Sequence, residues 1–417
     1  MGTSTLVRLV FGLLTFAIMA RLLGPNEFGV LMFWLSVATL LSLVANYGFT
    51  PYVLREIGAD RSTANTVMGE VLSAKMLVCG VIVVGSLLAL PFIAEAAGAV
   101  FMLLTLAMLV DSITDFLNVG YRATNRFGSE TRIATIASVC QFFIVAGAIW
   151  YRSEILVAAS AFLASRILVL LITWKDQAQY FSSLRLSSLT KAAERLKHAF
   201  SYAFDFSLQS LLGPLDSLVL NHFIGPTAVG MHQAGMRIFL GGAQIANVLG
   251  NVALPKLAAA NGSNNYTSNL HGKVQLAFIA SGAAFGLALC FGAELIVGIL
   301  YGNQYKELIK ILPWFGLLFF IRFLVAASGL ILTAQGSQSA RAKVSLIHWL
   351  IILCSSIFLV DKYGNIGWIQ ALIVGNIFLA FTYGILLGKR YMPNMIGTIA
   401  IVATFLLFIN KLSISLK

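Results

Sequence analysis

Four arginines, Arg8, Arg166, Arg237 and Arg322, stand inside long apolar stretches, and five acids, Asp111, Asp115, Asp205, Asp216 and Glu294, stand inside or at the ends of such stretches. In hydrocarbon a charge at the centre of a helix costs about 2.5 to 3.5 kcal/mol, so each must face a protein interior or a wet cavity. Arginine offers planar, permanently charged donors that match phosphate and carboxylate oxygens. A carboxylate beside it orients the guanidinium or couples an ion. The competing reading is structural, with Asp to Arg pairs and interhelical hydrogen bonds that fix packing.

Spacing favours the first reading for the set as a whole. At about 100° per residue, Asp111, Asp115, Asn118 and Arg122 fall on one helical stripe. Asp205, Gln209 and Asp216 form a second, and Gln233, Arg237, Gln244 and Asn251 a third. Three helices thus each carry one polar face, where packing alone is served by Gly, Ala and Ser. Gly213-Pro214 interrupts the second of these helices, and Pro214 is read as the only mid-span proline. Lacking an N–H, it marks a hinge or a packing kink.

Other chemistries are missing. The chain has no GxxxxGK[ST] phosphate loop, no HExxH and no GxSxG, so neither direct ATP use nor enzymatic hydrolysis is expected. Cys79, Cys140, Cys290 and Cys354 lie in apolar runs without CxxC spacing, which points to no disulfide, metal or cofactor. His198, His222, His232, His271 and His348 fall near predicted span ends and are read as interfacial.

The elements that must position these residues follow from composition. Of 417 residues 59% are apolar and 11% charged, and the mean hydropathy is +0.88. Soluble domains carry about 25% charged residues, so the bilayer is the main solvent. Apolar runs of spanning length predict helices at 4–23, 28–49, 70–93, 99–120, 133–151, 154–174, 201–223, 230–254, 273–300, 310–333, 342–360 and 366–388. A further run covers 395–410. The first run has neither a basic n-region nor an AxA-like cleavage site, so it is expected to remain as a span.

The net charge of +12 is dispersed over short loops with no basic arm, which argues against nucleic acid. Alternate connections carry 17 Lys and Arg, counting Lys75, and the opposite set carries 5. This asymmetry places the N-terminus in the cytoplasm. The break at 175–200 holds Leu189, Ala193, Leu196 and Phe200 at helical spacing and reads as an interfacial amphipathic helix or, alternatively, a basic tether. The expected organisation is a six-helix bundle at 1–174, a cytoplasmic linker at 175–200, a second six-helix bundle at 201–390 and an extra apolar segment at 391–417. Gly24-Pro25 through Gly29 and Gly225-Pro226 through Gly230 repeat at an offset of 201 residues, as expected of tandem halves related by a pseudo-two-fold axis along the membrane normal.

The stretch Ala20-Arg21-Leu22-Leu23-Gly24-Pro25, then Phe28-Gly29, Asn46-Tyr47-Gly48 and Leu54-Arg55-Glu56, resembles the N-terminal signature of polysaccharide transporters. These are the Wzx-type flippases of the multidrug, oligosaccharidyl-lipid and polysaccharide exporter superfamily. The second half, from Asp216 through Gly225-Pro226 and Gly230 to Pro255, resembles its repeated form. The resemblance implies an all-α, MATE-like fold of two bundles around a cavity open alternately to each side of the bacterial inner membrane. It further implies that the substrate is an undecaprenyl-pyrophosphate-linked oligosaccharide such as an O-antigen unit, with a proton or Na⁺ as coupling ion and a polymerase and chain-length regulator as partners. On that reading Arg8, Arg237, Arg322 and then Arg166 contact the diphosphate or an anionic sugar. Asp111, Asp115, Asp205, Asp216, Gln209, Gln244 and Asn251 line the polar path, and Pro214 is the hinge. The rivals are a drug and cation antiporter of the same superfamily, and a membrane polymerase or glycosyltransferase, which would need a large loop.

Overall fold

In a computed structural model, which describes residues 2–178, 187–210, 213–260 and 264–388, the chain is all helix with short turns and, among the described residues, no strand. The helices are α1 Gly2–Asn46, α2 Phe49–Ala59, α3 Ala64–Ala89, α4 Glu95–Ala123, α5 Phe127–Tyr151, α6 Ile155–Ala178, α7 Leu189–Ser210, α8 Leu215–Phe223, α9 Pro226–Ala260, α10 Asn264–Phe291, α11 Ala293–Leu300, α12 Lys306–Ala334 and α13 Gln338–Leu387. Nine stretches among the described residues are long and apolar enough to cross a membrane. Two of them, Leu6–Ala59 with 54 residues and Lys343–Leu387 with 45, are too long for one crossing. At 1.5 Å per residue they extend roughly 80 and 70 Å, against a hydrocarbon core of about 30 Å.

Both long stretches break at a glycine. Gly24 has φ 77° and ψ 169° and Gly364 has φ 60° and ψ −136°, backbone states closed to a residue with a Cβ. Each stretch therefore makes two crossings, as the separate runs at 4–23 and 28–49, and at 342–360 and 366–388, predict. Pro25 follows Gly24 and opens the next helical segment, where its missing N–H costs nothing. The second copy of the motif does the same: Gly225 has φ 110° and Pro226 opens α9.

The contacts divide the chain into two compact units, residues 1–221 and 222–417. In the first, α4 packs on α6 and α1, α5 packs on α1 and α6, and α7 lies against α2 and α3. In the second, α12 is the central helix, packed by α9, α10 and α13. Gly286 on α10 and Gly316 on α12 meet backbone to backbone, so that a Cβ on Gly316 would lie 2.6 Å from the Gly286 oxygen. Small residues at such a crossing replace the hydrophobic drive that lipid cannot supply. Beside it Phe319 stacks on Phe285 at 4.3 Å and on Phe323 at 4.4 Å. Leu88, Phe143, Leu171, Leu276 and Phe358 point outward and exposed, the pattern of a protein solvated by acyl chains.

One expectation changes. Pro214 is not alone: α12 begins at Lys306 and α9 runs to Ala260, so Pro313 and Pro255 fall inside helices. The interruption read at Gly213-Pro214 is present, with both residues in a turn and α8 starting at Leu215. On α7, Ala192, Ala199 and Ala203 are buried, whereas Ala193 and Phe200 are exposed. The run at 395–410, Arg185, Lys389 and Arg390 lie outside the described residues.

Candidate functional site

In the first unit the polar stripe of α4 stays accessible while its neighbours sink into the core. Ser112, Ile113, Thr114, Phe116 and Leu117 are buried, Asp111 and Asn118 are half-buried, and Asp115 and Arg122 are exposed. Arg166 on α6 donates to Asp111 Oδ1 at 2.8 Å, with the two side chains 22% and 24% exposed. The Phe162 ring lies 4.9 Å from the guanidinium. Asp115, one turn further along α4, is thus an open carboxylate beside a paired one, inside an apolar helix of spanning length. Arg122 at the end of the stripe pairs with Glu130 at 2.7 Å.

Behind this stripe lies a cation that the loop count misplaced. Lys75 is not in a connection but inside α3 and fully buried. Its Nζ donates to the Ala45 carbonyl at 3.2 Å and to Asn46 Oδ1 at 3.0 Å, and Ser112 Oγ donates to the same Oδ1 at 2.7 Å. The last carbonyls of a helix have no partner within it and carry its negative end, so a lysine there satisfies an orphan acceptor and the dipole together. The rings of Phe49 and Phe116 flank the ammonium at 5.9 Å. Removing Lys75 from the count leaves sixteen against five and does not reverse the orientation.

At the cytoplasmic side predicted by loop charge, α7 is clamped to the first unit. Arg195 donates to Glu70 Oε2 at 2.8 Å and to Tyr52 Oη at 2.7 Å, and Lys191 approaches Glu70 Oε1 at 3.4 Å. Arg55 donates to Tyr202 Oη at 2.7 Å. Burial alone would lower the Arg195 guanidinium; its hydrogen bonds to Tyr52 and Glu70 outweigh that and hold it above its ordinary value. Arg195 lies on the side of Ala192 and Ala199, and its partners on α2 and α3 draw that side inward and leave Ala193 and Phe200 facing out.

The remaining predicted residues are dispersed. Arg8 is exposed on α1, and Asp216 is buried on α8, accepting from the Ser217 amide at 2.6 Å. Asp205 and Gln209 lie on α7, with side chains outside the described residues. On α9, Arg237 is half-buried, Gln244 accepts from Asn247 at 2.8 Å and Asn251 is exposed. Glu294 opens the short α11, where a carboxylate suits the helix N-terminus. Arg322 is exposed midway along α12. His232, His271 and His348 are buried. No group of three metal-ligating side chains occurs among the described residues.

Sequence reasoning missed Lys75, the Arg195 clamp and the burial of His348. The signal for Lys75 was a lone cation inside an apolar run beginning at residue 70. For Arg195 it was Glu70 and Glu56, acids on segments otherwise rich in basic residues.

A family model described as polysaccharide biosynthesis protein matches residues 1–261. The capsular polysaccharide biosynthesis protein CapF of Staphylococcus aureus is 28% identical over 169 residues, 40% of this chain and 42% of that protein, so the match spans less than half of the relative. Among solved structures, the lipid II flippase MurJ in an inward closed conformation superposes with a TM-score of 0.72 at 15% identity, over 98% of this chain and 92% of that one. An inward-facing multidrug resistance MATE family transporter of the MOP superfamily superposes with a TM-score of 0.71 at 16% identity, over 95% and 96% of the two chains. At these identities the likeness is one of fold.

Proposed function

We propose, on the premise that this chain belongs to the polysaccharide biosynthesis protein family, that it is a flippase carrying lipid-linked oligosaccharide units across the bacterial inner membrane. The substrate on this reading is an undecaprenyl-pyrophosphate-linked repeat unit of a surface polysaccharide, a capsule or an O-antigen. The protein works by alternating access with a cytoplasmic N-terminus, and an ion gradient, of protons or Na⁺, drives it. A polymerase and a chain-length regulator take up the product on the far side.

The observation that carries the reading is the placement of accessible arginines deep in crossings. Arg322 is exposed at the middle of α12, where a cation without a ligand is costly. The most expensive part of the substrate to move through lipid is its diphosphate, and arginine is the side chain that meets such oxygens with persistent, directional donors. Asp111 holds Arg166 in place, and Asp115 remains open to bind the coupling ion. Asp205, Asp216, Gln209, Gln244 and Asn251 extend the polar path, and the break at Pro214 is the hinge.

The drug and cation antiporter reading draws on the shared fold with the MATE transporter, but arginines in the path repel cationic drugs. Arg8→Gln, Arg237→Gln and Arg322→Gln, tested singly in a deletion strain, are expected to abolish surface polysaccharide while the protein still inserts. Normal polysaccharide in all three would overturn the assignment, and drug sensitivity of the deletion strain with intact polysaccharide would favour the antiporter.

A further inference from the structure

The second limb of α1 ends in an elbow that leaves a helix carbonyl for a partner from another element. Tyr47 and Gly48, at φ 43° and 63°, turn the chain into α2, and the Tyr47 amide reaches back to the Leu43 carbonyl at 3.2 Å. That bond closes the helix as a left-handed cap does and satisfies one of its terminal carbonyls. The elbow is held in place, because a Cβ on Gly48 would run into the Tyr202 backbone of α7. The Ala45 carbonyl is left to Lys75.

The groups that surround the Lys75 ammonium are neutral and alike in one respect. The Ala45 carbonyl and Asn46 Oδ1 accept from it at 3.2 and 3.0 Å, the Phe49 and Phe116 rings stand 5.9 Å away, and Ser112 Oγ on α4 holds the same Asn46 oxygen at 2.7 Å. Each attracts a cation, and none brings a full negative charge. Carbonyl oxygens at helix ends coordinate Na⁺ in transporters, and aromatic faces add to the attraction. A divalent ion would call for carboxylates instead. The use of an ammonium is also informative. It is far more costly to bury than a neutral donor, and this one is only 1% exposed, which points to its charge, and not a hydrogen bond to one carbonyl alone, as what the place requires.

We infer that Ala45, Asn46 and Ser112, with the two rings, form a monovalent-cation site of the Na⁺ class that Lys75 fills permanently as a tethered substitute for the ion. Na⁺ then neither enters nor leaves at this joint of α1, α3 and α4, and the first unit keeps its form whatever the Na⁺ concentration. The inference deepens the flippase reading and rests on it for what an ion would drive, but the site itself stands without it. Asp115, exposed on α4, is a separate place for a coupling ion.

Lys75→Ala empties the site. In purified full-length protein in lipid nanodiscs, at constant ionic strength with choline as the balancing cation, the unfolding temperature of Lys75→Ala is expected to rise by about 3 °C on saturation with Na⁺. It should rise similarly with n-propylammonium, whose carbons and nitrogen replace those removed from the side chain. The parent and Lys75→Met, which fills the space without a charge, are expected to move by less than about 1 °C. Lys75→Gln, a donor without charge, is expected to unfold below the parent; a parent-like value would show that a hydrogen bond suffices and would overturn the site. So would a Lys75→Ala that responds to neither cation or to propylammonium alone, or a Na⁺ response equal in Lys75→Ala and the parent. Extraction with either cation present from the start extends the comparison to a variant too unstable to be purified without it. Flipping in liposomes is expected to depend on Na⁺ in Lys75→Ala and not in the parent. Na⁺ binding by Lys75→Ala with the same Na⁺ dependence of flipping in both would leave the site standing and remove its bearing on transport, whereas no flipping by the parent would sink the flippase reading and leave the unfolding result untouched.

Discussion

At the scale of single residues, the account turns on charges whose partners lie far off in sequence. Arg166 and Asp111 are separated by 55 residues and meet at 2.8 Å. Truncating either leaves the other half-buried in a low-dielectric surrounding, so Arg166→Gln and Asp111→Asn each lower the unfolding temperature of the purified protein. The double mutant is expected to recover part of the loss, with a coupling energy of about 1 to 2 kcal/mol; strictly additive effects would show that the pair does not interact. Lys75→Met is expected to cost about 3 kcal/mol in the same assay, because it strips the Ala45 carbonyl and Asn46 of their buried donor. The acidic stripe on α4 was legible because the helical period aligns Asp111, Asp115 and Asn118. Lys75 was not, because a cation near a span boundary reads as a loop residue when only one strand of sequence is in view. Which helix supplies the partner of a buried charge is a tertiary fact with no local signature.

At the scale of elements, the helix breaks were the most legible feature and the orientation of α7 the least. Glycine followed by proline is written plainly at Gly24-Pro25 and Gly225-Pro226, and both glycines adopt positive φ. Gly24 occupies a region open essentially to glycine alone, so Gly24→Ala is expected to destabilise the first unit by about 1 to 3 kcal/mol; an unchanged unfolding temperature would contradict the bend. For α7, periodicity marked a face that includes the exposed Ala193 and Phe200 but not the side that packs on the first unit. The face that packs is the one carrying Arg195, because its bonds to Glu70 and Tyr52 add directional energy to the contacts of small alanines. Arg195→Gln is therefore expected to raise amide exchange through residues 189–203 severalfold, with a smaller rise for Tyr52→Phe, which keeps the ring and loses one hydrogen bond. Exchange identical to the parent in both would remove the clamp.

At the scale of the whole molecule, composition and run length were enough to identify a multi-pass membrane protein, and eleven of twelve expected crossings coincide with apolar helices. The twelfth, at 201–223, includes the end of α7 and the short α8, with Gly213 and Pro214 in a turn before α8, the break that the proline marks in the sequence. The family was legible in degenerate motifs around Arg21, Gly24 and Gly48, which set helix bends and therefore mark the fold more than the cargo. The cargo is a matter of which charges stay accessible in the membrane, and so the central claim is tested by transport itself. The protein is reconstituted into liposomes holding a polyprenyl-diphosphate-linked oligosaccharide in both leaflets, and membrane-impermeant periodate is added to oxidise the outward-facing sugars. The account predicts that the protein exposes the inner-leaflet half to oxidation and that Arg322→Gln leaves it protected. Protection equal to that of protein-free liposomes, or oxidation undiminished by the substitution, would contradict it.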